Sequence, residues 1–248
     1  MTNLLTRRRK GKETTNMQIK RHDKINIFMH WFNAVCWIFL LLTGLGLIKN
    51  QDLQIPGGWW ADFMRSIFGN GETLLAAHVV AGFIWSGGFI LYGIIFLKKH
   101  VIPFMKEIFK VSPRQDTLWL IKKGIHMTMG NKVLKKLGFD THLPDQGFYN
   151  VGQKIFAIPS LIGGIIIAIT GFIMVASDKW MTDTAIVQWA ILIHFVVVLL
   201  VFAGLFIHVY MAGIAAGEKP AFISMFTGKV PEDYAEHHHK LWHERVKS

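Results

Sequence analysis

Four histidines lie inside otherwise apolar stretches of this 248-residue chain: His30, His78, His194 and His208. An ionisable side chain in hydrocarbon is costly and by default marks function. An imidazole placed there can hydrogen-bond a neighbouring helix, carry a proton, or give a ring nitrogen to a metal ion or haem iron. The spacing of the last two is the sharpest clue. His194 and His208 stand fourteen residues apart within ILIHFVVVLLVFAGLFIHVYM. At about 100° and 1.5 Å per residue, that step returns to within roughly 40° of the starting direction and climbs roughly 21 Å. Two imidazoles thus share one helix face at two depths.

The elements that position them are set by hydropathy. The chain is 52% hydrophobic and 17% charged. Its apolar residues gather into four runs, 25–48, 73–97, 155–176 and 184–216, each long enough to cross roughly 30 Å of hydrocarbon. The expected fold is an all-α membrane protein, a four-transmembrane-helix bundle with both termini cytoplasmic. The first run begins well inside the chain with no small-residue cleavage pattern behind it, so it reads as an anchor and not a signal peptide. Arg7-Arg8-Arg9 lacks the apolar region that a twin-arginine signal needs close behind it.

The net charge of +11 follows the same topology. Residues 1–24 carry eight Lys/Arg, the 98–154 loop eleven and the tail from 218 five, which leaves Lys49, Arg65 and Lys179 for the outside. An inside excess of basic residues orients membrane proteins, so the charge implies contact with membrane lipid and no nucleic-acid partner. The expected organisation is a basic cytoplasmic tail over 1–24, poorly ordered before the first helix, a helical core over 25–217 that includes the 98–154 loop, and a cytoplasmic tail over 218–248. Within the loop, residues 117–137 read as a surface helix. Pro56-Gly57-Gly58 with Trp59-Trp60 reads as a turn and a short amphipathic segment at the outer interface.

Topology pairs the histidines. The first span enters from the inside, so His30 near its start lies toward the cytoplasm. The second enters from the outside, so His78 near its start lies toward the exterior. The fourth runs outside to inside and presents His194, then His208. His78 is therefore level with His194, and His30 with His208. One tetrahedral zinc site would need all four together, and the two levels are about 20 Å apart. Two haems, each held by two imidazoles, fit instead. Cys36 is the sole cysteine and no Cys-x-x-Cys-His occurs, so such haems would be b-type, without thioether links. Gly82, Gly204 and Thr43-Gly44-Leu45-Gly46 beside these histidines would let either a porphyrin or a neighbouring helix approach closely. His22, His100, His126 and His142 read as solvated loop residues, and His237-His238-His239 with His243 as a cytoplasmic proton-accepting patch, with a metal site there a minor alternative. No nucleophile, acid–base dyad or phosphate-binding loop is evident, so no catalytic residue is expected.

These residues resemble a family, the cytochrome b gamma subunit of respiratory membrane-bound formate dehydrogenases. The resemblance is carried by His30-Trp31, Leu75-Ala76-Ala77-His78 with Gly82, Tyr149-Asn150-Val151-Gly152-Gln153-Lys154, Leu192-Ile193-His194, Ile207-His208-Val209-Tyr210-Met211-Ala212, and the tail from Gly228-Lys229-Val230 to His238-His239 with Trp242. It covers roughly residues 22–245, and departs in the basic N-terminal extension and a longer inner loop. The resemblance implies two haem b groups, with His78 and His194 as axial iron ligands near the outer face and His30 and His208 near the inner face. It also implies a quinone, expected to be menaquinone, bound by Asn150, Gly152 and His208. The implied partners are an iron–sulfur beta subunit and a molybdenum or tungsten alpha subunit that oxidises formate, in a bacterial cytoplasmic (inner) membrane. Two other readings stand beside it: a cytochrome b subunit of a hydrogenase or sulfur-compound reductase, and a haem-free anchor or transporter.

Overall fold

In a computed structural model, the structure describes residues 17–180, 183–215 and 217–248. Most of the expected basic tail, residues 1–16, lies outside the described residues, as does Ala216 at the end of the fourth expected span. The elements run in the order β1 (Gln18–Lys20), α1 (Lys24–Leu47), α2 (Gly58–Phe68), α3 (Gly71–Phe96), α4 (Ile102–Ile108), α5 (Pro113–Met129), α6 (Asn131–Lys136), α7 (Val151–Trp180), α8 (Thr184–Val209), α9 (Lys219–Thr227), β2 (Lys229–Pro231), α10 (Glu232–His238) and α11 (Lys240–Lys247). Among the described residues, four continuous helical stretches are long and apolar enough to cross a membrane: Lys24–Leu47, Gly71–Ile108, Val151–Ser177 and Thr184–Ile214.

Each expected apolar run falls on one of these stretches, and the second and third helices outrun theirs, the third spanning Val151–Trp180 against 155–176. The second does not stop at residue 97. It passes through a wider π turn, Leu97–Val101, into α4 and ends at Ile108. Lys98, Lys99 and His100 mark where hydropathy falls, but lysine is a good helix former, so the backbone stays helical beyond the apolar boundary. The fourth passes beyond Val209 through a π turn, Tyr210–Ile214, and ends inside its expected run of 184–216.

The chain forms two compact units. The apolar unit comprises Ile25–Leu97 and Leu161–Ala203. Its outward surface is hydrocarbon: Val35, Ile94 and Leu200 expose 65%, 72% and 67% of their area, as lipid-facing residues do. Its inter-helix contacts combine small residues with polar bridges, the pattern expected where hydrophobicity alone does not favour one neighbour over lipid. Gly88 lies under Phe32, whose Cζ is 2.6 Å from where a Cβ would sit. The Trp85 indole donates to Asn33 Oδ1 at 2.8 Å, and the Tyr92 hydroxyl to Asn26 Oδ1 at 3.0 Å. At one end, α2 buries Ala61 and Met64 while Trp59 stays 64% exposed. Met64 rests on Gly46, where a Cβ would come within 2.7 Å of the methionine Cβ.

Among the described residues, the polar unit comprises those up to Lys24 together with those of 98–160 and 204–248. It is tied by an antiparallel ladder in which Gln18, Ile19 and Lys20 of β1 face Pro231, Val230 and Lys229 of β2. Val230, Tyr234, Ala235 and Trp242 form a small core with Ile19, Phe148 and Ala221 packed on it. Arg21 is buried against this core. Its Nη2 donates to the Phe148 carbonyl at 2.6 Å, and its guanidinium sits 4.6 Å from the Phe148 ring centre and 5.0 Å from that of Trp242. The expected surface helix over 117–137 is two helices, α5 and α6, broken at Gly130, whose φ of +76° no β-carbon favours. Trp119 and Lys122 of α5 are buried, and Lys122 donates to Asp140 at 2.6 Å and to the His142 carbonyl at 2.8 Å.

Candidate functional site

His78 and His194 come from α3 and α8, both in the apolar unit and both half-buried. Each imidazole is braced by a threonine from another span. Thr43 of α1 is 1% exposed, and its Oγ1 lies 2.8 Å from His78 Nδ1. Thr170 of α7 is 5% exposed, and its Oγ1 lies 3.0 Å from His194 Nδ1. The next residue in each case is a glycine under the ring. A Cβ on Gly44 would sit 3.2 Å from His78 Cε1, and one on Gly171 would sit 3.6 Å from His194 Cε1.

The glycines singled out in the sequence separate into two kinds. Gly46 and Gly204 serve packing, the first against Met64 and the second against Phe156, at 3.4 Å from the ring to a notional Cβ. Gly82, one turn beyond His78, has no heavy atom within 4 Å of that position. The backbone beside His78 is therefore bare on one side, where a planar group could lie close.

His30 falls in the apolar unit and His208 in the polar one. His30 meets Trp31 edge-on, with ring centres 5.3 Å apart. His208 is stacked on Phe156 of α7, with centres 4.3 Å apart and planes 8° from parallel. Asn150 caps α7: its Oδ1 accepts from Gln153 N at 2.9 Å, while its own N–H donates to Gln153 Oε1 at 3.0 Å. This reciprocal pair is a capping box with amides in both roles. Gly152 and Phe156 lie four residues apart on α7 and so share a face.

The C-terminal histidines go to separate partners, and among the described residues no cluster of metal-ligating side chains is found. His237 lies 2.7 Å from the Asp233 carbonyl, His238 stacks on Tyr234, His239 Nδ1 donates to the Gly147 carbonyl at 2.8 Å, and His243 faces Glu232 at 3.3 Å. His100, expected to be solvated, is 7% exposed and lies 4.0 Å from Asp23. The π turn at Leu97–Val101 puts it inside the unit. Thr170-Gly171 and Phe156 join the residues expected from the sequence. The available signal was the Thr-Gly pair recurring in the first and third spans.

Helices that cross a membrane and hold histidines from two spans in one unit, each ring fixed through Nδ1 and one of them beside the bare backbone of Gly82, define a helical membrane protein suited to an iron prosthetic group. Residues 21–228 match the model of the prokaryotic cytochrome b561 family, and the chain belongs to it. Haem b is the cofactor of such a cytochrome, and the paired imidazoles and open Gly82 backbone fit it. The chain is similar to the formate dehydrogenase cytochrome b556 subunit of Haemophilus influenzae, at 24% identity over 93% of this chain and 84% of that protein. It is also similar to two proteins of Escherichia coli K12. These are the formate dehydrogenase cytochrome b556(fdo) subunit, at 23% identity over 91% and 90% of the two chains, and the nitrate-inducible cytochrome b556(Fdn) subunit, at 24% over 92% and 91%.

Proposed function

We propose that this chain is the membrane cytochrome b subunit of a formate dehydrogenase complex, carrying electrons from an extracytoplasmic iron–sulfur subunit to a quinone near the cytoplasmic face. The observation that carries the reading is the pair His78 and His194, two imidazoles from different spans in one unit of a b-type cytochrome. Formate as the ultimate donor is supported by the end-to-end likeness to formate dehydrogenase subunits. Haem b, when bound, supplies one-electron exchange between ferric and ferrous iron.

The residues divide the work by depth. His78 and His194 hold the outer haem. His30 and His208 hold a second haem toward the cytoplasm, an assignment that rests on their depth along the spans as counted in the sequence. Asn150 and Gly152, with His208, bind the quinone, taken to be menaquinone. The Gly152 N–H is second in α7, in the first turn whose N–H groups have no partner within the helix, which suits it to donate to a quinone carbonyl. Phe156, on the face of Gly152 and stacked on His208, supports the grouping of these three residues. The complex contains an iron–sulfur beta subunit and a molybdenum or tungsten alpha subunit, in a bacterial cytoplasmic membrane with both termini inside.

The test uses vesicles bearing the intact complex. Formate should reduce a b-type haem, read in the reduced-minus-oxidised spectrum, and a menaquinone analogue should reoxidise it. A haem reduced by dithionite but untouched by formate would remove formate as donor. Reduction by hydrogen in its place would assign the chain to a hydrogenase.

A further inference from the structure

We propose that Thr43 and Thr170 are positioning residues that fix the tautomer and donor strength of the imidazoles of His78 and His194; the proposal rests on the reading of those two histidines as axial ligands of one haem. Each threonine hydroxyl carries a single proton. Thr43 Oγ1 is 2.8 Å from the Phe39 carbonyl, four residues back on its own helix, and 3.2 Å from that of Leu40. Thr170 Oγ1 is 2.8 Å from the Ile166 carbonyl and 3.1 Å from that of Ile167. Two oxygens at 2.8 Å with no proton between them repel, so the hydroxyl proton points to the carbonyl. The hydroxyl can then only accept from the imidazole, and the proton of that bond belongs to Nδ1. In both rings Nε2 is left with the lone pair.

The two arrangements repeat in every part. In each, the threonine bonds back to its own helix, accepts from a histidine on a different span, and is followed by a glycine that lets the ring lie close. A buried threonine whose only task was to satisfy its own hydroxyl would need no histidine, since the carbonyl four residues back suffices. Metal-ligating histidines characteristically donate their other ring N–H to an oxygen, which fixes ring orientation and raises ligand basicity, and loss of that partner typically costs about 10–100-fold in metal affinity.

Thr43→Val and Thr170→Val keep side-chain shape and remove the acceptor, while Thr43→Ser and Thr170→Ser restore it. In the intact complex, each valine variant should lose about tenfold or more in haem retention. The haem that remains should show a raised midpoint potential, because a less basic imidazole stabilises ferric iron less, and the serine variants should match the parent in both measures. Helicity by far-ultraviolet circular dichroism checks that the valine variants remain folded. Parental haem content and potential in both valine variants, with haem lost in His78→Ala, would overturn the proposal and leave the ligand assignment standing. Haem fully retained in His78→Ala and His194→Ala would overturn the ligand assignment and the proposal together.

Discussion

His239 sits fully buried at the junction of α10 and α11, where its Nδ1 donates to the Gly147 carbonyl at 2.8 Å. Burial first, and then the nearby positive charge of Arg21, push its pKa down to about 3, although the bond to Gly147 works the other way. The folded protein therefore keeps this ring neutral while the unfolded chain takes up a proton below about 6.5. The stability it contributes is complete above that value and is lost as pH falls from about 6.5 toward 3. One proton separates the two states, so local opening should rise by up to about tenfold per pH unit in that window. Hydrogen exchange of residues 229–248 in the solubilised protein measures it, and His239→Gln should flatten the dependence. A pH profile unchanged by that substitution would show that other groups set it. The four intramembrane histidines were legible in the sequence because each interrupts an apolar run. His239 was not: its immediate neighbours are His238 and Lys240, and its burial is supplied by Arg21, Gly147 and Trp242, distant in sequence or brought round by a turn.

At the level of elements, hydropathy placed all four spans but not the ends of their helices. An apolar run ends where side chains meet water, whereas a helix ends where its backbone finds a cap or a breaker. Residues 98–108 and 151–154 are helical for that reason, and the start of α7 is set by Asn150 and Gln153. The same asparagine is proposed to donate its amide to quinone, and the two roles can be separated. Asn150→Asp keeps an oxygen that caps but loses the NH2 donor. It should leave thermal stability unchanged within about 0.5 kcal/mol while raising the KM for a quinone analogue. Asn150→Ala loses the cap as well, at a cost of about 1 kcal/mol. Parental quinone kinetics in the aspartate variant would confine Asn150 to capping. The three-residue strands β1 and β2 were illegible because their pairing joins residues more than two hundred positions apart, and segments so short carry no periodicity to read.

For the molecule as a whole, that pairing bears on sidedness. Strand β1 precedes the first span and β2 follows the fourth, and an even number of crossings returns the chain to the side from which it started. The ladder and the span count are thus consistent with the proposed sidedness, in which both ends share the side of the basic 1–24, 98–154 and C-terminal segments, the cytoplasm by the inside excess of basic residues. In a Cys36→Ser background, Ser248→Cys should react with an impermeant thiol reagent only in inside-out vesicles, and Asp52→Cys only in right-side-out ones. The proposed orientation would give electron transfer a direction in space. A donor docked outside and a quinone protonated from the inside would move negative charge inward, against roughly 2.3 kcal/mol per charge for each 100 mV of membrane potential. Formate added to right-side-out vesicles with menaquinone analogue should therefore build an interior-negative potential that an uncoupler collapses, read with a potential-sensitive dye. If formate were oxidised at full rate with no potential formed, donor and quinone would have to meet the protein on the same side, and Asn150, Gly152 and His208 could not be the quinone site at the cytoplasmic face.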